Sequence, residues 1–224
     1  MSRFARLEVL NTIMAEGLVP VYYNADLSVA KEVLAACHRG GGRIFEFTNR
    51  GDYAPFVFLE LSRWAAQAHP DMMLGAGSVV DVPTAALYVA AGAAFVVGPN
   101  LNTEVARFCN RRKVAYSPGC ATASEIATAE ELGVEIVKIF PGETIGGPDF
   151  VKSVMAPCPW TRIMPTGGVE PTAESINAWF TAGVAAVGIG SKLVSAASVK
   201  SGDWENIAQR VGETRALIAA ARVR

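Results

Sequence analysis

The sequence predicts an α/β protein, a single-domain (β/α)8 barrel (TIM barrel) over residues 1–224, and three observations carry that expectation. Short apolar strands alternate with helical stretches from Leu18 to the C-terminus. Eight such pairs follow one another, and eight strand–helix units close into a barrel of roughly 250 residues. Each strand is a near-continuous apolar run, as in parallel sheets that are covered on both faces.

The elements read in order as follows. A strand at Leu18–Tyr23 precedes a helix over Ser28–Arg39, and a strand at Arg43–Thr48 precedes Pro55–Ala68. Met73–Ser78 leads to Val82–Ala91, and Ala94–Pro99 to Thr103–Arg111. Val114–Gly119 leads to Ala123–Leu132, and Ile136–Pro141 to Pro148–Met155. Arg162–Gly168 leads to Thr172–Ala182, and Ala185–Ser191 to a helical C-terminal segment. The alternative is a doubly wound open sheet, but no GxGxxG follows the first strand, where a dinucleotide fold places one. Gly40-Gly41-Gly42 comes before a strand and reads as a tight helix-to-strand connection.

Bulk composition narrows the function classes. The 224 residues are 51% hydrophobic and carry a net charge of −1 with no basic block, which disfavours a nucleic-acid partner. Apolar runs are too short and too glycine-rich to span a bilayer, and Arg6 and Glu8 interrupt the apolar segment that a signal peptide needs. Cys37, Cys109, Cys120 and Cys158 are widely spaced and read as reduced thiols of a cytoplasmic protein. His38 and His69 lie near helix ends away from any carboxylate cluster, so no metal site is expected.

The chemistry is expected at the C-terminal ends of the strands. Lys138 sits inside the strand Ile136–Pro141, where desolvation opposes its ammonium form. An unperturbed lysine near pKa ~10.4 is neutral about 0.04% of the time at pH 7, whereas ~7.5 makes roughly a quarter of it nucleophilic. Schiff-base chemistry needs that shift; a solvated strand-end lysine or a buried ion pair would explain the residue without it. Glu46 and Thr48 share a strand face by their spacing of two, with Arg50 in register if the strand continues and Phe45 and Phe47 pointing outward. Gly75-Ala76-Gly77-Ser78 leaves room for a ligand or fits a tight turn. Pro165-Thr166-Gly167-Gly168 and Gly188-Ile189-Gly190-Ser191 end the last two strands, where barrels commonly bind phosphate. Glycine lets backbone N–H groups approach an anion, and Ser191 is expected to open a short helix. A phosphate cradle, a buried lysine, a glutamate and an arginine together suit carbon–carbon bond chemistry on a phosphorylated keto acid.

These residues resemble the class I KDPG/KHG aldolase family, acting on 2-dehydro-3-deoxy-phosphogluconate and 4-hydroxy-2-oxoglutarate. The family pattern of Glu-x-Thr-x-Arg, Gly-Ala-Gly-Thr, Lys-Phe-Phe-Pro-Ala-Glu, Pro-Thr-Gly-Gly and Gly-Gly-Ser reads here as Glu46-Phe47-Thr48-Asn49-Arg50, Gly75-Ala76-Gly77-Ser78, Lys138-Ile139-Phe140-Pro141-Gly142-Glu143, Pro165-Thr166-Gly167-Gly168 and Gly190-Ser191, in family order. The resemblance implies Lys138 as the Schiff-base lysine and Glu46 as the general acid/base. It implies Arg50, helped by Ser78 and Thr166, on the pyruvate carboxylate, and Gly167, Gly168, Gly190 and Ser191 on the phosphate. It also implies a homotrimer and neither metal nor other cofactor. Ser78 stands where the family has Thr, Gly142 where it has Ala, and Lys192 where an aromatic is common; Gly51–Pro55 is a longer segment. Two other classes stay open on the residues: a phosphate-binding barrel enzyme such as an epimerase, with Lys138 acting electrostatically, and a non-catalytic phosphosugar-binding protein. The C4 stereochemistry of the substrate, activity on the unphosphorylated acid and the role of Cys120 are not encoded in these motifs.

Overall fold

The predicted alternation is present, with one helix added in front of it. The computed structural model describes residues 3–222; residues 1, 2, 223 and 224 of the expected domain lie outside the described residues. The order is α1 (Arg6–Glu16), β1 (Leu18–Tyr22), α2 (Leu27–Arg39), β2 (Ile44–Thr48), α3 (Ala54–Ala68), β3 (Met73–Gly77), α4 (Val82–Ala90), β4 (Phe95–Val97), α5 (Thr103–Arg112), β5 (Ala115–Ser117), β6 (Gly119–Cys120), α6 (Ala123–Glu131), β7 (Val137–Ile139), α7 (Gly147–Met155), β8 (Ile163–Pro165), α8 (Ala173–Thr181), β9 (Val187–Ile189), α9 (Ala196–Ser201) and α10 (Trp204–Arg222). Several helices start where a side chain accepts backbone N–H groups: Asp26 from Ser28, Asp81 from Thr84, Asn102 from Glu104 and Val105, and Thr122 from Glu125.

The strands run parallel in the order β5-β4-β3-β2-β1-β9, with β6-β7-β8 completing the circuit. Two seams close it. The fifth strand is not continuous, as its sequence suggests, but breaks at Pro118 into β5 and β6. Pro118 has no N–H to give a neighbour, although its carbonyl still accepts the Lys138 N–H at 3.1 Å. At the other seam Thr166 pairs with Gly188, and the Ala185 N–H donates to the Ile163 carbonyl at 2.9 Å. Eight strand positions therefore form one barrel.

Period-two alternation divides the side chains. Phe45, Phe47, Leu74, Ala76, Val96, Val137 and Ile139 join the helices in the larger core. Phe45 and Phe47 thus point outward, as their spacing predicts. Val19, Ile44, Met73, Phe95, Ile136, Met164 and Ala186 form a separate interior cluster together with Val9, Leu10 and Ile13 of α1. α1 therefore plugs the N-terminal mouth of the barrel. Gly17 ends it with φ 71°, and a Cβ there would meet Arg222 Nη2 at 2.6 Å and Ile218 Cγ2 at 2.8 Å.

One expected element is different. No helix opens at Ser191. The Leu193 and Val194 N–H groups both donate to the Gly190 carbonyl, at 2.8 and 3.0 Å, making a single turn. Extended Ser195 then ends the turn and caps the six-residue α9 instead.

The plug generates a prediction. Ile13 is 2% exposed, so Ile13→Ala should destabilise the fold by about 2–4 kcal/mol in urea unfolding. A loss below about 1 kcal/mol would mean that the barrel does not depend on α1 for its floor.

Candidate active site

One layer above that floor the barrel interior turns polar. Stepping two residues along β2 from Ile44 gives Glu46, and two along the sixth strand position from Ile136 gives Lys138. Glu46 is 1% exposed and Lys138 5%. Room for them comes from glycines. A Cβ on Gly77 would lie 1.9 Å from Glu46 Oε1, and a Cβ on Gly188 would lie 2.5 Å from Thr166 Oγ1. Glu46 Oε2 and Thr166 Oγ1 are both buried without a hydrogen-bond partner. Unpaired buried polar atoms are costly and cluster where function requires them.

Burial sets the protonation of the pair. Desolvation pushes the Glu46 carboxyl above its ordinary range, against the opposing pull of Lys138 and Arg50. Desolvation pushes the Lys138 ammonium pKa down; Glu46 opposes this and Arg50 adds to it. The two environments thus shift both groups in the direction of their neutral forms, the arrangement that acid–base pairs use.

Above this layer lies a cavity of about 680 Å3. Its wall includes Thr48, Arg50, Phe140, Thr166, Gly167, Gly168, Gly190 and Ser191. Lys138 and Glu46 are one layer deeper and do not reach the wall. The Phe140 ring, 37% exposed, covers the lysine, with Lys138 Nζ 4.8 Å from its centroid. Phe140 had no assigned role in the sequence reading, because a strand-end aromatic carries no signal of where its ring turns.

β2 stops at Thr48, so Arg50 reaches the cavity from a turn rather than from the strand. Its N–H donates to the Thr48 carbonyl at 3.0 Å. The turn is held on both sides: the Tyr88 hydroxyl donates to Asn49 Oδ1 at 2.9 Å, and Gly51 passes the Tyr23 hydroxyl so closely that a Cβ would lie 2.3 Å from it. Ser78 follows β3 in the left-handed conformation, φ 58°, and is not on the cavity wall. Gly167 and Gly168 have φ 90° and 81°, which only glycine adopts readily. Among the described residues no acceptor takes the N–H of Gly168 or Ser191, and both residues line the cavity.

Lys192 and Lys200 also line the cavity. Lys192 is paired with Glu170 at 2.7 Å, and that carboxylate raises its pKa. Cys120 packs in the outer core, away from the barrel interior, and burial pushes its thiol up to about 12. His38 meets Asp71 at 2.9 Å on the far side of α2 and α3. No group of three or more His, Cys, Asp or Glu positioned for a metal exists among the described residues.

A closed barrel with a cavity at its C-terminal mouth, above a buried lysine and glutamate, is the architecture of a barrel enzyme. The family model "Aldolase: KDPG and KHG aldolase" matches residues 9–210, and the chain belongs to that family of lyases. It is 35% identical to the 2-dehydro-3-deoxy-phosphogluconate aldolase of Treponema pallidum, over 85% of this chain and 88% of that one. It is 30% identical to the KHG/KDPG aldolase of Escherichia coli K12, over 90% and 92% of the two chains. Among solved structures, KDPG aldolase from Legionella pneumophila, with pyruvate captured at low pH as a covalent carbinolamine intermediate, superposes with a TM-score of 0.79. That protein is 27% identical, and the match covers 90% of this chain and 95% of that one.

The buried amine also has a stability consequence. Its folded pKa is lowered, so the desolvation penalty is full below that pKa and vanishes once pH exceeds the unfolded value. Lys138→Met should therefore gain about 1 kcal/mol at pH 7, a rise of about 2–4 °C in Tm, and the gain should shrink toward pH 11. A lower Tm at pH 7 would show that the lysine's contacts outweigh its desolvation.

Proposed function

We propose that the chain is a class I aldolase that reversibly cleaves 2-dehydro-3-deoxy-6-phosphogluconate, or its galactonate epimer, to pyruvate and glyceraldehyde 3-phosphate. The same centre would also cleave 4-hydroxy-2-oxoglutarate to pyruvate and glyoxylate. The observation that carries this reading is the burial of Lys138 beside Glu46 beneath a cavity rimmed by Arg50 and the two glycine turns.

The cycle follows from the protonation states. Neutral Lys138 Nζ attacks the C2 ketone, and a carbinolamine forms after proton transfer from nitrogen to oxygen. Glu46 in its acid form gives a proton to the departing hydroxyl, and water leaves an iminium and a carboxylate. That carboxylate takes the proton of the C4 hydroxyl. The C3–C4 bond breaks, its electrons flow into the iminium to give an enamine, and the aldehyde departs. Glu46 returns the proton to C3, and water hydrolyses the pyruvate iminium to free the amine. Arg50 holds the carboxylate through its planar fork, with the Ser78 and Thr166 hydroxyls assisting; the unpartnered Thr166 Oγ1 supports its part in this. Gly167, Gly168, Gly190 and Ser191 receive the phosphate on backbone N–H groups. The family resemblance extends the reading to a homotrimer working in the cytoplasm without a metal.

Activity is tested by coupling pyruvate release to lactate dehydrogenase. Lys138→Ala should abolish turnover, by a factor of 10^4 or more on the order of magnitude expected for a lost covalent nucleophile. Glu46→Gln should lower kcat by about 10^2–10^4 and leave pyruvate binding nearly unchanged. Retained turnover in a folded Lys138→Ala variant would remove the Schiff base from the reaction. A Glu46→Gln variant that lost pyruvate binding and kept kcat would make Glu46 a binding group.

A further inference from the structure

The charges on the cavity wall are one-sided. Arg50, Lys192 and Lys200 line it, and among the described residues no carboxylate does, although the whole chain carries a net charge of −1. The cations differ in what faces them. Lys192 is paired with Glu170 at 2.7 Å, and its backbone carbonyl accepts from Arg210, so it is held on the rim as half of an ion pair. Its neighbourhood is otherwise acidic too, since Glu143 packs on Gly168, where a Cβ would lie 2.4 Å from Glu143 Oε2. Lys200 has no ion pair among the described residues. It is an exposed residue of α9 that lines the cavity together with Ala196 and Val199 of the same helix and with Ser191 and Lys192 of the preceding turn.

We infer that Lys200 is the cation that recognises the terminal phosphate, so that it sets the preference for phosphorylated over unphosphorylated substrates. The inference rests on the aldolase reading and deepens it. The phosphate carries about −1.5 to −2 at pH 7, and a lysine ammonium adds a charge-assisted contact to those of the backbone N–H groups. Lys192 contributes little while Glu170 holds it. Glu170 therefore acts as a brake: it ties up a second lysine that would otherwise tighten the phosphate end.

Two variants move in opposite directions. Lys200→Ala should raise KM for the phosphorylated substrate about 10–100-fold with kcat within a few-fold, as for loss of one charge-assisted contact. It should leave KM for 4-hydroxy-2-oxoglutarate, and the concentration dependence of pyruvate trapping, unchanged. Lys200→Arg should restore most of the loss. Glu170→Gln should lower KM for the phosphorylated substrate only. Equal KM values for wild type and Lys200→Ala, or equal changes with both substrates, would overturn the assignment. Glycerol 3-phosphate, followed by titration calorimetry, reads the phosphate contact without any aldol chemistry. Weaker binding to Lys200→Ala supports the assignment even if the wild-type chain forms no adduct with pyruvate, whereas unchanged binding overturns it even if the aldolase reaction proceeds.

Discussion

Desolvation of the Lys138 amine is the constraint on which the rest of the structure depends. A lysine inside a barrel costs stability unless it is neutral or paired, and here burial drives it toward the neutral form while Glu46 alone opposes that shift. The same burial raises the pKa of the Glu46 carboxyl. Both groups are shifted away from the protonation that water favours. A surface lysine and glutamate at equal separation would form a weak, screened ion pair with no acid–base use.

The fold supplies the dry environment from three directions. From below, α1 closes the mouth with Val9, Leu10 and Ile13, which pack into the apolar floor of the barrel. From the sides, the apolar strand faces and their covering helices exclude it. From above, the Phe140 ring lies over the amine. Inward glycines keep the polar layer from being overfilled. Gly77 yields its Cβ space to the Glu46 carboxyl, and Gly188 yields its own to the Thr166 hydroxyl. The positive-φ turns at Gly167 and Gly168 then shape the mouth without side chains in the way of a ligand. The layering is graded, apolar at the floor, ionisable at mid-depth and cationic at the rim.

Much of this was legible in the sequence because the signals were local. Spacing of two placed Glu46 and Thr48 inside and Phe45 and Phe47 outside, and strand-end glycines marked the two turns over the cavity. What escaped depended on contacts between distant segments. The apolar residues of α1 have meaning only once the barrel has a floor to plug. Pro118 divides the fifth strand, but the seam it creates is visible only when β6 pairs with β7. The turn at Ser191 looked like a helix start because glycine and serine precede an apolar pair; extended Ser195 shows where helix begins instead. The unequal status of Lys192 and Lys200 turns on Glu170, which comes from a different strand-to-helix loop. Phe140 belongs to the same class, since a side chain's rotation over its neighbour is set by tertiary packing.

The most direct measurement is of the covalent bond itself. The protein is incubated with pyruvate, reduced with borohydride, digested and mapped by mass spectrometry. The account predicts one pyruvate-derived mass increase, on Lys138, with the exposed Lys192 and Lys200 unmodified, since desolvation lowers the Lys138 pKa and favours its nucleophilic form. An adduct on another lysine, or none on folded protein that still binds a phosphosugar, would contradict it.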